Sequence, residues 1–357
     1  MYNPGKPYNE LPLLPPNTEV ETKKVLRQTI ASNKILAELK GRAGEIPNQS
    51  MLVNAITLQE AKDSSEIENI VTTQDSLYKA FSSNISSTDT QTKEVLKYRQ
   101  ALWEGYNDLS KRPLSTNSFI KIVQTIKENS SGIRNTPGTT ITSNNKTIYT
   151  PPEGEQVIRN LLKNLEDFMH GEDDIDPLIK LAITHYQFEA IHPFFDGNGR
   201  TGRVINMLYI VDKGLLDIPI LYLSKYIIEN KNDYYSNLRN VTEKSAWEVW
   251  ILFILKGIEE TAQYTLDKIN TINQLMQETI HFAKENLPTR VYSKELIELL
   301  FEQPYCKVKY LVDRKIAKRQ TAAEYLNELE KIGILNSQKV GVENLYLNVK
   351  LVEALKK

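Results

Sequence analysis

Twelve residues near the middle of the chain, His192-Pro193-Phe194-Phe195-Asp196-Gly197-Asn198-Gly199-Arg200-Thr201-Gly202-Arg203, join two stretches whose apolar residues recur at helical spacing. The stretch before them, Pro177 to Ile191, carries Leu178, Ile179, Ala182, Ile183 and Ile191 and reads as an amphipathic helix. The stretch after them, Val204 to Lys213, reads as another. Pro193 disfavours helical geometry at His192 and ends the first helix there. Gly197 and Gly199 permit positive φ and close approach of the backbone. The chain is therefore expected to fold around a helix–loop–helix hinge, with Phe194 and Phe195 sinking into the core to anchor the loop.

The loop holds the parts of a phosphate chemistry. N–H groups lining up ahead of a helix make a nest for an anion. Arg200 and Arg203, three apart, fall on one helix face and can fork onto phosphate oxygens. Asp196 supplies a hard oxygen ligand suited to phosphate-bound Mg²⁺. His192, at the rim, is the side chain best placed to take a proton near neutral pH. Each part alone has an ordinary reading: a helix end, a tight turn, a solvated helix face. Within twelve residues they converge on phosphoryl or nucleotidyl transfer.

The segment HPFFDGNGRTGR resembles the signature loop of the Fic (Fic/Doc) family, H-x-F-x-(D/E)-G-N-G-R-x-x-R, and fits it without departure. The resemblance implies a protein adenylyltransferase that uses ATP and Mg²⁺ to move AMP onto a Ser, Thr or Tyr hydroxyl of a target protein or of itself. It assigns His192 as general base, Asp196 as the Mg²⁺ ligand, and Asn198 with Gly199 as the α-phosphate cradle. Arg200 and Arg203 hold the β- and γ-phosphates, and Gly202 counts among the nucleotide-binding residues. Related Doc kinases carry lysine at the place of Gly199 and bind the nucleotide the other way round, so the glycine favours AMP transfer over phosphorylation. AMP removal and a transcriptional regulator with a Fic-like body are the alternatives.

Upstream, Ser64-Ser65-Glu66-Ile67-Glu68-Asn69 is similar to the inhibitory motif (S/T)-x-x-x-E-(G/N) of such proteins, with Ser64, Glu68 and Asn69 in the matching places. There the glutamate pairs with the second arginine of the loop, here Arg203. Ser65-x-x-Glu68 is also a capping-box spacing, in which Glu68 would fold back on its own helix start. The β-rich pieces TTIT and TIYT around Ser143-Asn144-Asn145-Lys146 signal a hairpin at Gly138–Pro152. It resembles the Fic flap, which pairs its edge with an extended target segment; a hairpin without a partner is the alternative. Tyr234-Tyr235 resembles the paired tyrosines near adenine, with core packing as the competing use.

The rest of the sequence sets the frame. A net charge of -1 selects for neither nucleic acid nor an acidic membrane. One cysteine, Cys306, excludes an internal disulfide framework and fits a reducing, cytoplasmic compartment. The start, MYNPGKPYNE, lacks the pattern of a signal peptide, and no run is long enough to span a membrane. The proline-rich first twenty residues read as an extended arm laid on a neighbour. Helical spacing follows from Val20 to Tyr106, with Leu26, Ile30, Ile35, Leu36, Leu39, Leu52, Ile56 and Leu58 as apolar positions. Ser82 to Thr92 reads as a loop and Leu287-Pro288-Thr289 as a linker.

The expected organisation is mainly α. Residues 1–106 form a helical region with the inhibitory segment, 107–286 a helical Fic core with a hairpin flap, and 290–357 a unit of three helices and two strands resembling a winged helix. Its third helix, Thr321–Ile332, follows the basic residues Arg314, Lys315, Lys318 and Arg319 but carries Glu324, Glu328 and Glu330, which repel DNA. DNA binding is open but not favoured. Dimerisation or target docking is the expected use.

Overall fold

The computed structural model describes residues 2–44, 49–82, 89–143, 145–340 and 343–356. The expected loop residues 83–88 and Asn144 of the expected hairpin turn lie outside them. The chain is mainly helical, with two small antiparallel sheets. An extended arm precedes α1 (Lys23–Gly44), α2 (Gln49–Ile67), α3 (Gln74–Ser82) and α4 (Thr90–Leu109). Then come α5 (Thr116–Lys127), the hairpin β1 (Ile141–Ser143) and β2 (Lys146–Tyr149), and α6 (Glu155–His170). α7 (Pro177–Ile191) and α8 (Asn198–Asp212) flank the central loop, and α9 (Leu223–Glu229), α10 (Lys231–Lys244) and α11 (Trp247–Asn286) follow. The last unit runs α12 (Lys294–Leu299), β3 (Tyr305–Cys306), α13 (Val308–Asp313), α14 (Arg319–Lys331), β4 (Asn336–Val340), β5 (Glu343–Leu347) and α15 (Val349–Lys356). Its sheet has the order β3-β5-β4. No helix among the described residues is long and apolar enough to cross a membrane.

Local chemistry sets the helix starts. Asp89, Ser115, Asp176 and Ser293 each accept a backbone N–H two or three residues ahead, and Pro177 follows Asp176 at the first helical position. α7 is the central helix. Contrary to the amphipathic reading, it is buried on all sides, including Lys180, Thr184, His185 and Gln187. Its polar groups find internal partners: Lys180 Nζ reaches Gly171 O at 2.7 Å, and Ala182 O accepts Trp250 Nε1 at 2.7 Å. α1 lies along α11 with a face one step from that expected. Val25, Thr29, Ser32, Leu36 and Leu39 are buried, whereas Leu26 and Ile30 are exposed. Ser32 and Thr29 can face inward because their hydroxyls bond Leu255 O and Val25 O.

The arm lies on the chain's own hairpin and core. Tyr8 N–H donates to Thr150 O at 3.0 Å, Tyr2 Oη to Ile148 O at 3.1 Å, and Gln187 Nε2 to Pro12 O at 2.9 Å. The segment expected to be a linker is a pinned turn: Leu287 is buried, and Val291 N–H closes on Pro288 O at 2.8 Å. The last unit is accordingly packed against the helices before it. Tyr305 Oη meets Asp75 of α3 at 2.7 Å, and Gln59 of α2 reaches Leu355 O of α15 at 2.6 Å. The three helices and two strands expected there are present, with β3 and α15 in addition.

Candidate active site

His192 is the C-cap of α7, in the left-handed region at φ 48 and ψ 60, its N–H closing the helix on Phe188 O at 3.0 Å. Burial, then the charge of Arg134, pushes its imidazole down to about 4. It is therefore neutral at physiological pH and able to accept a proton. Phe194 is buried as expected, but Phe195 is 53% exposed and anchors nothing. Asn198 ties the loop together. Its Oδ1 accepts Phe194 N–H at 2.9 Å and its Nδ2 donates to Phe194 O at 2.8 Å, so the side chain is consumed by the loop. Its main-chain N–H is the group left for the anion cradle expected of Asn198.

Gly197 takes φ 82 as the N-cap of α8, and the first intrahelical bond is Thr201 N–H to Gly197 O. The N–H groups of Asn198, Gly199 and Arg200 precede that bond, which is the orphan set that receives anions. Gly202 faces the other way. A Cβ there would lie 2.6 Å from Glu189 Oε1 and 3.1 Å from Phe188 Cδ1 on α7. Its smallness lets α7 and α8 approach, a packing use beside the nucleotide role expected of it. Asp196 is largely exposed, with Lys127 Nζ 2.6 Å from Oδ2 and Gly197 N–H 2.6 Å from Oδ1. Partial burial would raise its pKa, but Lys127 and that N–H hold it below the usual carboxylate range.

Arg200 and Arg203 do not share a face. Arg200 is buried and turns to α4, where Nη1 meets Glu94 Oε1 at 2.7 Å; Lys127 meets the same oxygen at 2.9 Å. Arg203 turns to the end of α2. Its Nε donates to Ser64 Oγ and its Nη2 to Ser64 O, both at 2.7 Å, and Nη2 also pairs with Glu68 Oε1 at 2.9 Å. Ser65 and Glu68 lie at the C-terminal end of α2, with Glu68 N–H on Ser65 O at 3.0 Å, so the capping-box reading fails. Asn69 has φ 63, which explains a residue type that tolerates the left-handed region. A Cβ on Gly199 would collide with Glu68 Oε1, so the glycine also makes room for the carboxylate.

A cleft of about 400 Å³ collects these groups. Glu68, His192, Gly199 and Arg203 line one part and the hairpin residues Thr140–Thr142 another. Tyr235, 41% exposed, lines it too. Tyr234 reaches it from the core, where its hydroxyl bonds His185 Nε2 at 2.8 Å and its ring packs on Trp250. Tyr234 thus takes the core-packing use, and Tyr235 lines the cleft.

Sequence-family models divide the chain much as its structure does. The Fic/DOC family N-terminal model matches residues 26–107, the Fic/DOC family model 113–210, and the model "Protein adenylyltransferase SoFic-like, C-terminal domain" 275–351. The chain belongs to the Fic/DOC family.

Among its Fic/DOC relatives, a probable protein adenylyltransferase of Aquifex aeolicus (strain VF5) is 32% identical over 142 residues, 38% of this chain and 41% of the relative. The protein adenylyltransferase fic-1 of Caenorhabditis elegans is 30% identical over 125 residues, 34% of this chain and 23% of the relative. The matched stretch thus spans less than half the length of either relative. Among solved structures, a Fic family protein from Desulfovibrio desulfuricans G20 has a TM-score of 0.61 at 16% identity, covering 93% of this chain and 98% of that one. Residues 134–508 of C. elegans Fic-1 align at a TM-score of 0.53 and 20% identity, over 70% of this chain and 75% of that one. These likenesses concern the fold.

Four charged residues of this Fic/DOC site escaped the sequence reading. Lys127 and Glu94 bridge Asp196 and Arg200, and Arg134 underlies His192. Glu189 lines the cleft, and burial raises its carboxyl to about 7, against a lowering by Arg203 and a further raising by Glu68. Glu189 carried a usable signal, being the sole carboxylate in the apolar run Leu178–Ile191.

Proposed function

We propose that this Fic/DOC protein transfers AMP from ATP to a hydroxyl side chain of another protein or of itself, and that Glu68 restrains it. The carrying observation is that a neutral histidine, the open N-terminus of α8 and Arg203 line one cleft. His192 takes the proton from the attacking hydroxyl. The oxygen forms a bond to the α-phosphorus, the bond from that phosphorus to the bridging oxygen breaks, and pyrophosphate leaves. The main-chain N–H groups of Asn198, Gly199 and Arg200 receive phosphate charge, and Arg203 would do so once free of Glu68.

Among the described residues, no three of His, Cys, Asp and Glu gather as a metal site. Asp196 alone, kept ionised and partly exposed, fits Mg²⁺, which takes one or two carboxylates beside phosphate oxygens and supplies charge neutralisation there. Lys127 would have to yield Asp196 to the metal. The hairpin residues Thr140–Thr142, on the cleft wall, are the strand along which an extended target segment would pair. Buried, free Cys306 suits a reducing cytoplasm.

Incubation with ATP and Mg²⁺ tests the reading. Label from α-labelled ATP should appear on protein, most readily in the Glu68→Gly variant, and label from γ-labelled ATP should not. Label from the γ-phosphate alone would overturn it.

A further inference from the structure

Arg134 is one of the largest side chains in the protein to be fully buried, at 1% exposure, yet it lies outside the central loop. Its donors go to main-chain carbonyls. Nε donates to His192 O at 2.7 Å, Nη2 to Ile191 O at 3.2 Å and also to Pro152 O, and its own N–H to Pro193 O at 2.9 Å. From the hairpin, Tyr149 Oη adds a bond to Ala190 O at 2.7 Å. Four successive carbonyls, 190 to 193, are thus held from the segment that carries the hairpin. The last carbonyls of a helix have no intrahelical partner and favour a cation. His192 has a further need: a non-glycine residue at φ 48 persists only where its surroundings fix it. Pro152 lies at the root of the hairpin, so one guanidinium joins that root to the backbone of the base.

We propose that Arg134 is the positioning residue for His192: by clamping carbonyls 191–193 against Pro152, it sets the orientation of the imidazole and the seat of the hairpin together. This rests on His192 acting as the base in the transfer proposed above. The charge of the clamp has a second effect. Burial is the larger cause of the low His192 pKa, and Arg134 is the next. The other groups facing the ring act oppositely: the main-chain carbonyl of Glu189 on α7, Glu68 at the end of α2 and Asp196 in the loop.

Two substitutions separate geometry from charge. Arg134→Lys keeps the charge but cannot fork onto several carbonyls. Arg134→Gln loses both. Transfer rates are measured in the Glu68→Gly background, and His192 is titrated by ring NMR in the otherwise native chain. The protein has four histidines, so one His192→Ala spectrum assigns the signal.

Both variants should lose kcat by about 10²-fold, the scale of a misplaced reacting group, with KM for ATP within about twofold. His192 should titrate higher in Arg134→Gln, moving from about 4 toward the ordinary value of about 6.5, and stay low in Arg134→Lys. A kcat within about twofold of the parent in Arg134→Gln, or a kcat loss matched by the unfolded fraction, overturns the proposal. If Arg134→Gln does not fold, Arg134→Lys decides alone: kcat within about twofold of the parent rejects positioning. If no transfer occurs in any chain, the function reading has failed, and His192 ring signals unmoved in both variants would still reject the clamp.

Discussion

His192 and Asp196 stand a few residues apart and have opposite electrostatic settings. Burial and Arg134 keep the histidine neutral, and Lys127 keeps the aspartate charged. A general base works in its neutral form, so lowering its pKa moves the acid limb of the pH profile downward. Transfer by Glu68→Gly should therefore stay level from pH 8 to 6 and fall only toward a pH of about 4. An acid limb near the ordinary histidine value would contradict this. His192→Ala should cost about 10²–10⁴-fold in kcat while leaving ATP binding in place. Asp196→Ala should weaken ATP binding with Mg²⁺ more than without it, and calorimetry in both conditions reads the difference. Equal losses would make Asp196 a structural residue. These two residues could be read in the sequence because they sit in one contiguous loop. Arg134, Lys127 and Glu94 could not, because each is a single charge on an otherwise ordinary segment, and only the fold brings them to 192, 196 and 200. For Asn198 and Gly202 the sequence pointed to the loop but not to their structural use. A short polar side chain and a glycine serve a ligand or a backbone equally well, and here they brace the loop and let two helices meet.

At the level of elements, the proposed latch lies between the end of α2 and the first turns of α8. Ser64 and Glu68 satisfy Nε and Nη2 of Arg203 together, and Arg203 is all but buried. A buried guanidinium paired on that edge is not available to a phosphate. Glu68→Gly should thus raise AMP transfer, with self-modification as the readout, and Glu68→Gly with Arg203→Ala should lose the gain. Because Glu68 lies past the last turn of α2 and caps no helix start, the single change should lower Tm little. A fall in Tm without added transfer would leave Glu68 a structural residue. The helices themselves were largely legible. Ser115 and Glu128 bound α5, and α4 begins inside the stretch Ser82 to Thr92 that reads as a loop, because Asp89 caps it. The inward face of α1 was not legible, since Thr29 and Ser32 are apolar enough to bury only when their hydroxyls fold back onto carbonyls. The short strand β3 and helix α15 also escaped, one being two residues long and the other beginning directly after β5.

On the scale of the whole molecule, α11 decides how the parts behave together. It runs unbroken for 40 residues, with buried positions from Trp250 through Ile272 to Ala283, so it serves the catalytic core and the last unit at once. Lys268, buried on this helix, donates Nζ to Ala354 O at 2.8 Å and Leu355 O at 3.1 Å, closing the end of α15. Gln59 binds Leu355 O from α2, the helix that ends at the latch. Calorimetry on the full chain should therefore show one unfolding transition, and two separated transitions would mean the last unit is merely tethered. Lys268 gives a sharper reading. Burial pushes its amine down to about 8 from an ordinary 10.5. The unfolded chain then binds more protons than the folded one between those values, so stability rises with pH across that window. Below pH 8 both states are protonated, and the penalty for the buried charge is fully present. Lys268→Met removes the titrating group and leaves carbonyls of α15 short of a donor, a loss of about 1–3 kcal/mol. At pH 7 the variant escapes that penalty and should melt no lower than wild type, and it should fall below wild type as pH rises through 8 to 10. Parallel melting curves across that range would show that Lys268 is solvated and that α15 is not held by it.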